Sequence, residues 1–470
     1  MTTNTHEENV ATSESQIIRI VAKQREFFKT GVTKSYHHRI EALTKLKNAL
    51  VKYESRFHAA LKHDLGKPEF EAYLSETGFS LHDLSGTIKK LKKWMKPQRT
   101  STSLLTQPGS SKIYYSPLGV NLIISPFNYP INLTFSPLTA AIAAGNTAVL
   151  KTSELTPACS EAIGDLIRET FAPEYVAYIG GEVRETTILL QQKFDHIFFT
   201  GSPRVGSIVM SAAAKHLTRV TLELGGKSPC IVHRDAKLDI AVKRIVTGKF
   251  LNAAQTCVAP DYVMVHTSVK EEFLSKIKDR IVSVYGEDAS TSPDYARIVN
   301  DSHFQRICSL IDQQKVVVGG QSDPDTRFIA PTVMRDVSLA DPIMAEEIFG
   351  PVLPVLEYET LNDVREVVDQ LPHYPLACYL FSESPKVQET IINTLQFGGA
   401  CVNNCVFHLA NFHLPFGGVG ESGIGAYHGV HGFECFSHKK GVLKTSTLID
   451  VPLIHAPYGK RIGLLRRIMK

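Results

Sequence analysis

Val120-Asn-Leu-Ile-Ile124, Ala148-Val-Leu-Lys151, Tyr175-Val-Ala-Tyr-Ile179, His196-Ile-Phe-Phe-Thr200 and Val220-Thr-Leu-Glu-Leu224 are short apolar runs rich in β-branched and aromatic residues. Between them lie segments of helical texture, near Ile131–Ala144, Ala158–Thr170, Thr186–Gln192 and Val205–Lys215. Parallel neighbours need a crossover between them, so this alternation predicts a mostly parallel, doubly wound sheet. Upstream, Ile40, Leu43, Leu46, Leu50, Tyr53, Phe57 and Leu61 recur at intervals of three and four. That is the spacing of an amphipathic helix, and Gly66 and Pro68 stop it. Downstream of Gly226 a second alternating series begins, with apolar runs at Tyr262–His266 and Val316–Val318. A second α/β domain is expected there.

The chain has 470 residues, beyond the ~250–300 at which a single core stops growing. Its net charge of +4 is small, and no basic stretch is interleaved with aromatics, which disfavours nucleic acid as a partner. Eight cysteines are scattered through a sequence that opens with the polar Met1–Glu8. Free thiols and a cytoplasmic location are therefore expected. Ile113 to Leu150 lacks any charged residue and is long enough to span a bilayer. Pro117, Pro126, Pro130 and Pro137 interrupt it, and Asn121, Asn128 and Asn146 would have to be satisfied in lipid. A buried strand, loop and helix of a large domain is the better reading.

Cys257, in Gly248-Lys-Phe-Leu-Asn-Ala-Ala-Gln-Thr-Cys-Val-Ala-Pro260, pairs with Glu223, in Val220-Thr-Leu-Glu-Leu-Gly-Gly-Lys227. A thiolate attacks a carbonyl carbon, and a carboxylate beside the resulting thioester can activate the water that releases it. That is the chemistry of an aldehyde oxidised to an acid. Alone, Cys257 would read as a small buried hydrophobe.

Both segments are similar to signature motifs of the aldehyde dehydrogenase superfamily. Ser125-Pro-Phe-Asn-Tyr-Pro130, Val149-Leu-Lys-Thr-Ser-Glu154, Phe199-Thr-Gly-Ser202, Glu346-Glu-Ile-Phe-Gly-Pro351 and Leu414-Pro-Phe-Gly-Gly-Val-Gly420 follow in the family's order. The resemblance runs from about Ile17 to Ser446. Val402-Asn-Asn-Cys-Val-Phe-His408 and Ala426-Tyr-His-Gly429 are typical of the class 3 branch. Two residues depart from the pattern: Phe127 stands where Trp is common, and Ala254 where Gly is usual.

The resemblance implies two doubly wound α/β domains plus a small bridging sheet through which these enzymes dimerise. Residues 1–99 and 119–225 would form the NAD(P)-binding domain and 226–405 the catalytic domain. The bridging elements would be 100–118 and 406–446, with 447–470 as a tail. It implies Cys257 as nucleophile, Glu223 as water-activating base and Asn128 with the Cys257 N–H as oxyanion donors. Lys151 and Glu154 would meet the adenosine ribose, where residue texture alone suggests a solvated lysine and a helix-start glutamate. Gly201, Ser202, Gly206, Leu224 and Gly225 would line the cofactor, and Glu347 and Phe349 would hold its nicotinamide ribose and ring. NAD is the expected cofactor, with NADP tolerated, because a carboxylate at the ribose repels a 2′-phosphate.

Gly418-Val-Gly-Glu-Ser-Gly423 spells the dinucleotide fingerprint but follows Leu414-Pro-Phe416 rather than opening a βαβ unit, and reads as a decoy. Gly201-Ser-Pro-Arg-Val-Gly206 follows an apolar strand and is the better cofactor turn. Cys401, Cys405 and His408 match no common zinc spacing, so no metal is expected. The tail Lys460–Lys470 is basic with Ile462, Leu464, Leu465, Ile468 and Met469 apolar, which suits weak contact with a membrane surface. The default alternative is a tail packed on a partner subunit or left unstructured. Two rival functions stay open: a CoA-acylating aldehyde dehydrogenase and a catalytically retired scaffold.

Overall fold

Val120, Leu122 and Ile124 turn to one face of a sheet and Ile123 to the other, and both sets are buried. Only a sheet covered on both sides buries a strand in this way. The computed structural model describes residues 12–371, 374–449 and 454–469. Among them, one six-stranded sheet has the order Gly423–Ile424, Arg219–Glu223, His196–Thr200, Val120–Ile124, Thr147–Lys151 and Val176–Tyr178. All its pairings are parallel except that of the edge strand Gly423–Ile424. From Val120–Ile124 the chain winds one way through two strands, then returns to wind the other way. The crevice between Val120–Ile124 and His196–Thr200 is thus the switch point, where doubly wound sheets bind ligands.

A second sheet of seven strands has the order Val316–Val318, Thr332–Met334, Val352–Tyr358, Tyr262–His266, Pro229–Val232, Ala377–Phe381 and Gly399–Val402. It is parallel apart from Val316–Val318. The two predicted α/β sheets are both present, and the expected strands Val120–Ile124, His196–Thr200, Tyr262–His266 and Val316–Val318 fall on the observed bounds.

A third sheet joins Gln98–Thr100, Gly109–Pro117 and Ser437–Thr445 in antiparallel register. Of the 406–446 stretch, Ser437–Thr445 enters this sheet, whereas Gly423–Ile424 joins the six-stranded one and helix Gly429–Cys435 packs on helix Asn132–Ala144. The uncharged run Ile113–Leu150 divides into the end of strand Gly109–Pro117, strand Val120–Ile124, a loop, the buried helix Asn132–Ala144 and most of strand Thr147–Lys151. Pro137 sits inside that helix at the loss of one ladder hydrogen bond, while the breaks come at Pro117, Pro126 and Pro130. No helix among the described residues is long and apolar enough to cross a membrane.

Helix Tyr36–Leu65 ends at Gly66, whose φ of 60° is left-handed, the conformation that glycine supplies at a helix C-terminus. After it come Glu69–Ala72 and a π-helical turn, Tyr73–Thr77, leading into Gly78–Trp94. This segment carries part of the active-site wall.

Candidate active site

Three consecutive non-glycine residues, Asn252, Ala253 and Ala254, hold φ of 54°, 49° and 60°. L-residues pay roughly 1–2 kcal/mol each for this left-handed backbone, Asn least, so the turn must be held from outside. Ala254, the departure from the usual glycine, keeps the left-handed form. The turn follows helix Leu238–Phe250 and delivers Cys257, half-buried, to the wall of a cavity of about 400 Å³. Burial first, then the carboxylates Glu347 and Glu223, holds the Cys257 thiol well above its ordinary range, opposed by the N–H groups of Cys257 and Val258.

Glu223 ends its strand on the wall of the same cavity. Its side chain is buried and neither carboxylate oxygen has a hydrogen-bond partner. Burial alone raises its pKa far above the carboxylate range. A buried carboxyl without partners is costly unless something arrives to use it. Phe416 and His428 stack at 5.1 Å and 19° in the cavity wall, beside Tyr427. Tyr73, Phe79, Leu133 and Phe412 make much of the rest apolar.

Asn128 follows the central strand Val120–Ile124 at the switch point. Its Nδ2 donates to the Gln255 carbonyl at 2.9 Å, leaving the second amide hydrogen for another acceptor. Its own carbonyl accepts from Asn252 Nδ2 at 2.9 Å and from Lys67 Nζ at 3.0 Å. Asn128 is therefore tied directly to the turn that presents Cys257.

The expected cofactor residues gather along the carboxyl edge of the six-stranded sheet. Lys151 is buried and donates to Thr152 O at 2.6 Å; its Nζ is 3.8 Å from the half-exposed Glu154 carboxylate. An ammonium with spare donors beside an exposed carboxylate with acceptor capacity left is a pair suited to a ribose diol. Gly201 N donates to Glu223 O at 3.0 Å, and Ser202 caps helix Pro203–Ala214. A Cβ at Gly206 would lie 2.9 Å from Leu224 Cδ2, and one at Gly225 would lie 1.9 Å from Glu347 Oε2. The two glycines thus allow Leu224 and Glu347 to pack directly against the backbone at this edge. Burial and the neighbouring Asp261 push the Glu347 carboxyl up to about 8. Phe349, at φ 49°, stands edge-on to Phe127 at 5.8 Å. The polar groups at this edge, Lys151, Glu154 and Glu347, fit the riboses of a nicotinamide dinucleotide.

The sequence did not disclose what holds these pieces. Lys227 Nζ donates to Asp261 at 2.5 Å and to the carbonyls of Ile343 and Glu346, while Asp261 Oδ1 accepts from Ile348 N. This buried pair fixes the loop that bears Glu347 and Phe349. Lys67 and Glu76 form a second ion pair at 2.7 Å, both side chains fully buried. Charges after a helix stop read as solvated loop, and only their burial reveals them. The fingerprint look-alike opens no helix that could face a phosphate: Gly420–Ser422 is one 3-10 turn and Gly423–Ile424 an edge strand. Cys401 Sγ approaches His408 Nδ1 at 3.5 Å, and the described residues contain no cluster of three or more His, Cys, Asp or Glu able to hold a metal.

Residues 2–442 match the profile of the aldehyde dehydrogenase family. The chain is 46% identical over 446 residues to 4,4'-diaponeurosporen-aldehyde dehydrogenase of Staphylococcus aureus, covering 94% of this chain and 97% of that protein. It is 45% identical over 434 residues to the dimeric NADP-preferring aldehyde dehydrogenase of Rattus norvegicus, covering 92% and 96%. The solved substrate-bound state of a Staphylococcus aureus AldH superposes with a TM-score of 0.94 at 45% identity, over 97% of this chain and 99% of that one. The chain belongs to the aldehyde dehydrogenase family, in its class 3-like branch, and is an NAD(P)-dependent oxidoreductase of aldehydes.

Proposed function

We propose that Cys257, Glu223 and Asn128 carry the oxidation of an aldehyde to a carboxylate. The Cys257 thiolate adds to the carbonyl carbon. The Asn128 amide and the Cys257 N–H then donate to the oxygen as its charge grows, and preorganised donors of this kind act chiefly in the transition state. Loss of hydride from the adduct leaves a thioester on Cys257; the bound nicotinamide supplies the hydride acceptor. Glu223 takes a proton from water, the hydroxide adds to the thioester, and the thiolate leaves as the acid is released. The observation that carries this reading is Glu223, buried, unpartnered and on the same cavity wall as Cys257. A CoA-acylating route would need no water-activating base, so Glu223 argues against it. The apolar wall favours aldehydes with an aliphatic or aromatic body.

For the cofactor, we assign the adenosine ribose to Lys151 and Glu154. Gly201, Ser202, Gly206, Leu224 and Gly225 line its path, and Glu347 and Phe349 hold the nicotinamide end. Glu154 makes NAD the preferred form, with NADP tolerated through Lys151. Residues 1–99 with 119–225 then act as cofactor domain and 226–405 as catalytic domain. The third sheet serves homodimerisation: Ser437–Thr445 is one of its two edge strands, with Val442 and Leu443 exposed, and the rat relative is named dimeric. The place of action is the cytoplasm. The tail contributes a weak membrane-surface contact, supported by helix Ile462–Ile468 with Ile462 and Leu464 exposed beside Arg466 and Arg467.

Cys257→Ala tests the core of the reading. Oxidation should vanish while folding and cofactor binding persist; substantial turnover in that variant would refute the nucleophile.

A further inference from the structure

Glu71 is the partly buried carboxylate whose Oε2 accepts the backbone N–H of Asn252 at 3.0 Å. Asn252 is the first of the three left-handed residues that lead to Cys257. Its side chain reaches the other way, donating to Asn128 O at 2.9 Å and Gln255 O at 3.2 Å. One residue therefore receives the Glu71 contact and passes it to both the nucleophile turn and the Asn128 loop.

The segment that bears Glu71 is built for two tasks. Lys67 and Glu76 face inward, Lys67 toward Asn128 O and Glu76 Oε2 toward the N–H groups of Ile131 and Asn132 at 3.1 and 2.9 Å. Tyr73, Leu74 and Phe79 face the cavity. A π-helical turn, Tyr73–Thr77, carries Tyr73, Leu74 and Glu76. A turn with about one extra residue changes the facing of the residues that follow it, and such turns recur at functional sites.

We propose that Glu71 is a positioning residue for the reaction: by fixing the Asn252 N–H it holds the strained turn that sets Cys257 against the oxyanion donors. It touches neither substrate nor cofactor. The inference rests on Cys257 being the nucleophile. Because the segment is also a wall of the cavity, the same contact joins the substrate-facing surface to the catalytic turn.

Reach separates this role from a charge role. Glu71→Gln keeps an oxygen acceptor at the same distance and loses the charge. Glu71→Asp keeps the charge and withdraws the acceptor by one methylene. Lys67, the nearby cation, is already paired with Glu76. The full-length protein, with NAD and a soluble aromatic aldehyde, should show kcat reduced roughly 10²-fold in Glu71→Asp, the scale of a small misplacement of reacting groups. KM for NAD and the thermal midpoint should stay near wild type. Glu71→Gln should recover to within about threefold of wild-type kcat. Equal kcat in Glu71→Asp and wild type overturns the proposal, and so does the reverse ranking, with Gln below Asp. If both variants lose thermal stability and kcat in parallel, Glu71 is structural and the proposal also fails. Cys257→Ala is run alongside: an active Cys257→Ala condemns the nucleophile reading itself, whereas an inactive one with an unaffected Glu71→Asp condemns only the positioning role.

Discussion

Gly423 lies directly across the sheet from Glu223 in antiparallel register, and the next residue down the strand, Ile424, faces Leu222. Leu224 N adds a bond to Ser422 O at 3.0 Å. The glycine-rich stretch that imitates a phosphate loop is thus the edge that braces the backbone of the candidate base. A Cβ on Gly423 would come within 2.4 Å of Leu222 O, a backbone atom that cannot step aside alone.

Gly423→Ala should therefore force the edge strand from Arg219–Glu223 and cost about 1–3 kcal/mol, the usual scale of overpacking. Chemical denaturation measures it. A midpoint unchanged from wild type would show that the edge strand is dispensable to the base.

Glu223→Gln should keep a burst of reduced cofactor and lose steady-state turnover by roughly 10²–10⁴-fold, the contribution of a positioned base. The pH response follows from burial, which raises the carboxyl above its ordinary range. A raised pKa moves the titration of this carboxyl up the pH scale, so the base form grows as pH rises through a higher range than an ordinary carboxylate would need. Hydrolysis-limited turnover should climb with rising pH in wild type and flatten in Glu223→Gln. Parallel pH profiles for the two proteins would remove Glu223 from this role.

Asn128→Ala removes one oxyanion donor and should lower kcat by roughly 10²–10³-fold. Pre-steady-state kinetics should place the loss in the formation of reduced cofactor. A fall of less than tenfold would assign the oxyanion to other donors.

Gly225→Ala places a methyl group where Glu347 Oε2 now lies. Glu347 must swing away, and losing a bond to a charged group should weaken NAD binding roughly tenfold or more. Fluorescence titration reads it directly. Unchanged affinity would mean that Glu347 does not contact the cofactor.

Glu154→Gln should narrow the preference for NAD over NADP, since it removes the charge that repels a 2′-phosphate. The ratio of the two kcat/KM values is the measurement. A wild type that prefers NADP, or a ratio that does not move, would take the choice away from this carboxylate.

Chain order and periodicity by themselves determined the two wound sheets, because a strand buried on both faces must be a short apolar run and a parallel neighbour must be reached through a helix. The ordered motifs likewise marked Cys257, Glu223 and Asn128. What only the tertiary structure decided is how these groups are held. Lys67, Glu71, Glu76, Lys227 and Asp261 are charged residues that local sequence reads as solvated, since nothing in their neighbours says that water will be excluded. Folding brings Lys67 to Glu76, Lys227 to Asp261 and Glu71 to Asn252, across as many as 181 positions. Burial then turns ordinary surface chemistry into fixed anchors. The fate of Gly418–Gly423 was decided in the same way: the glycine spacing is local, but facing a phosphate requires a following helix, and here the chain forms an edge strand against Glu223 instead.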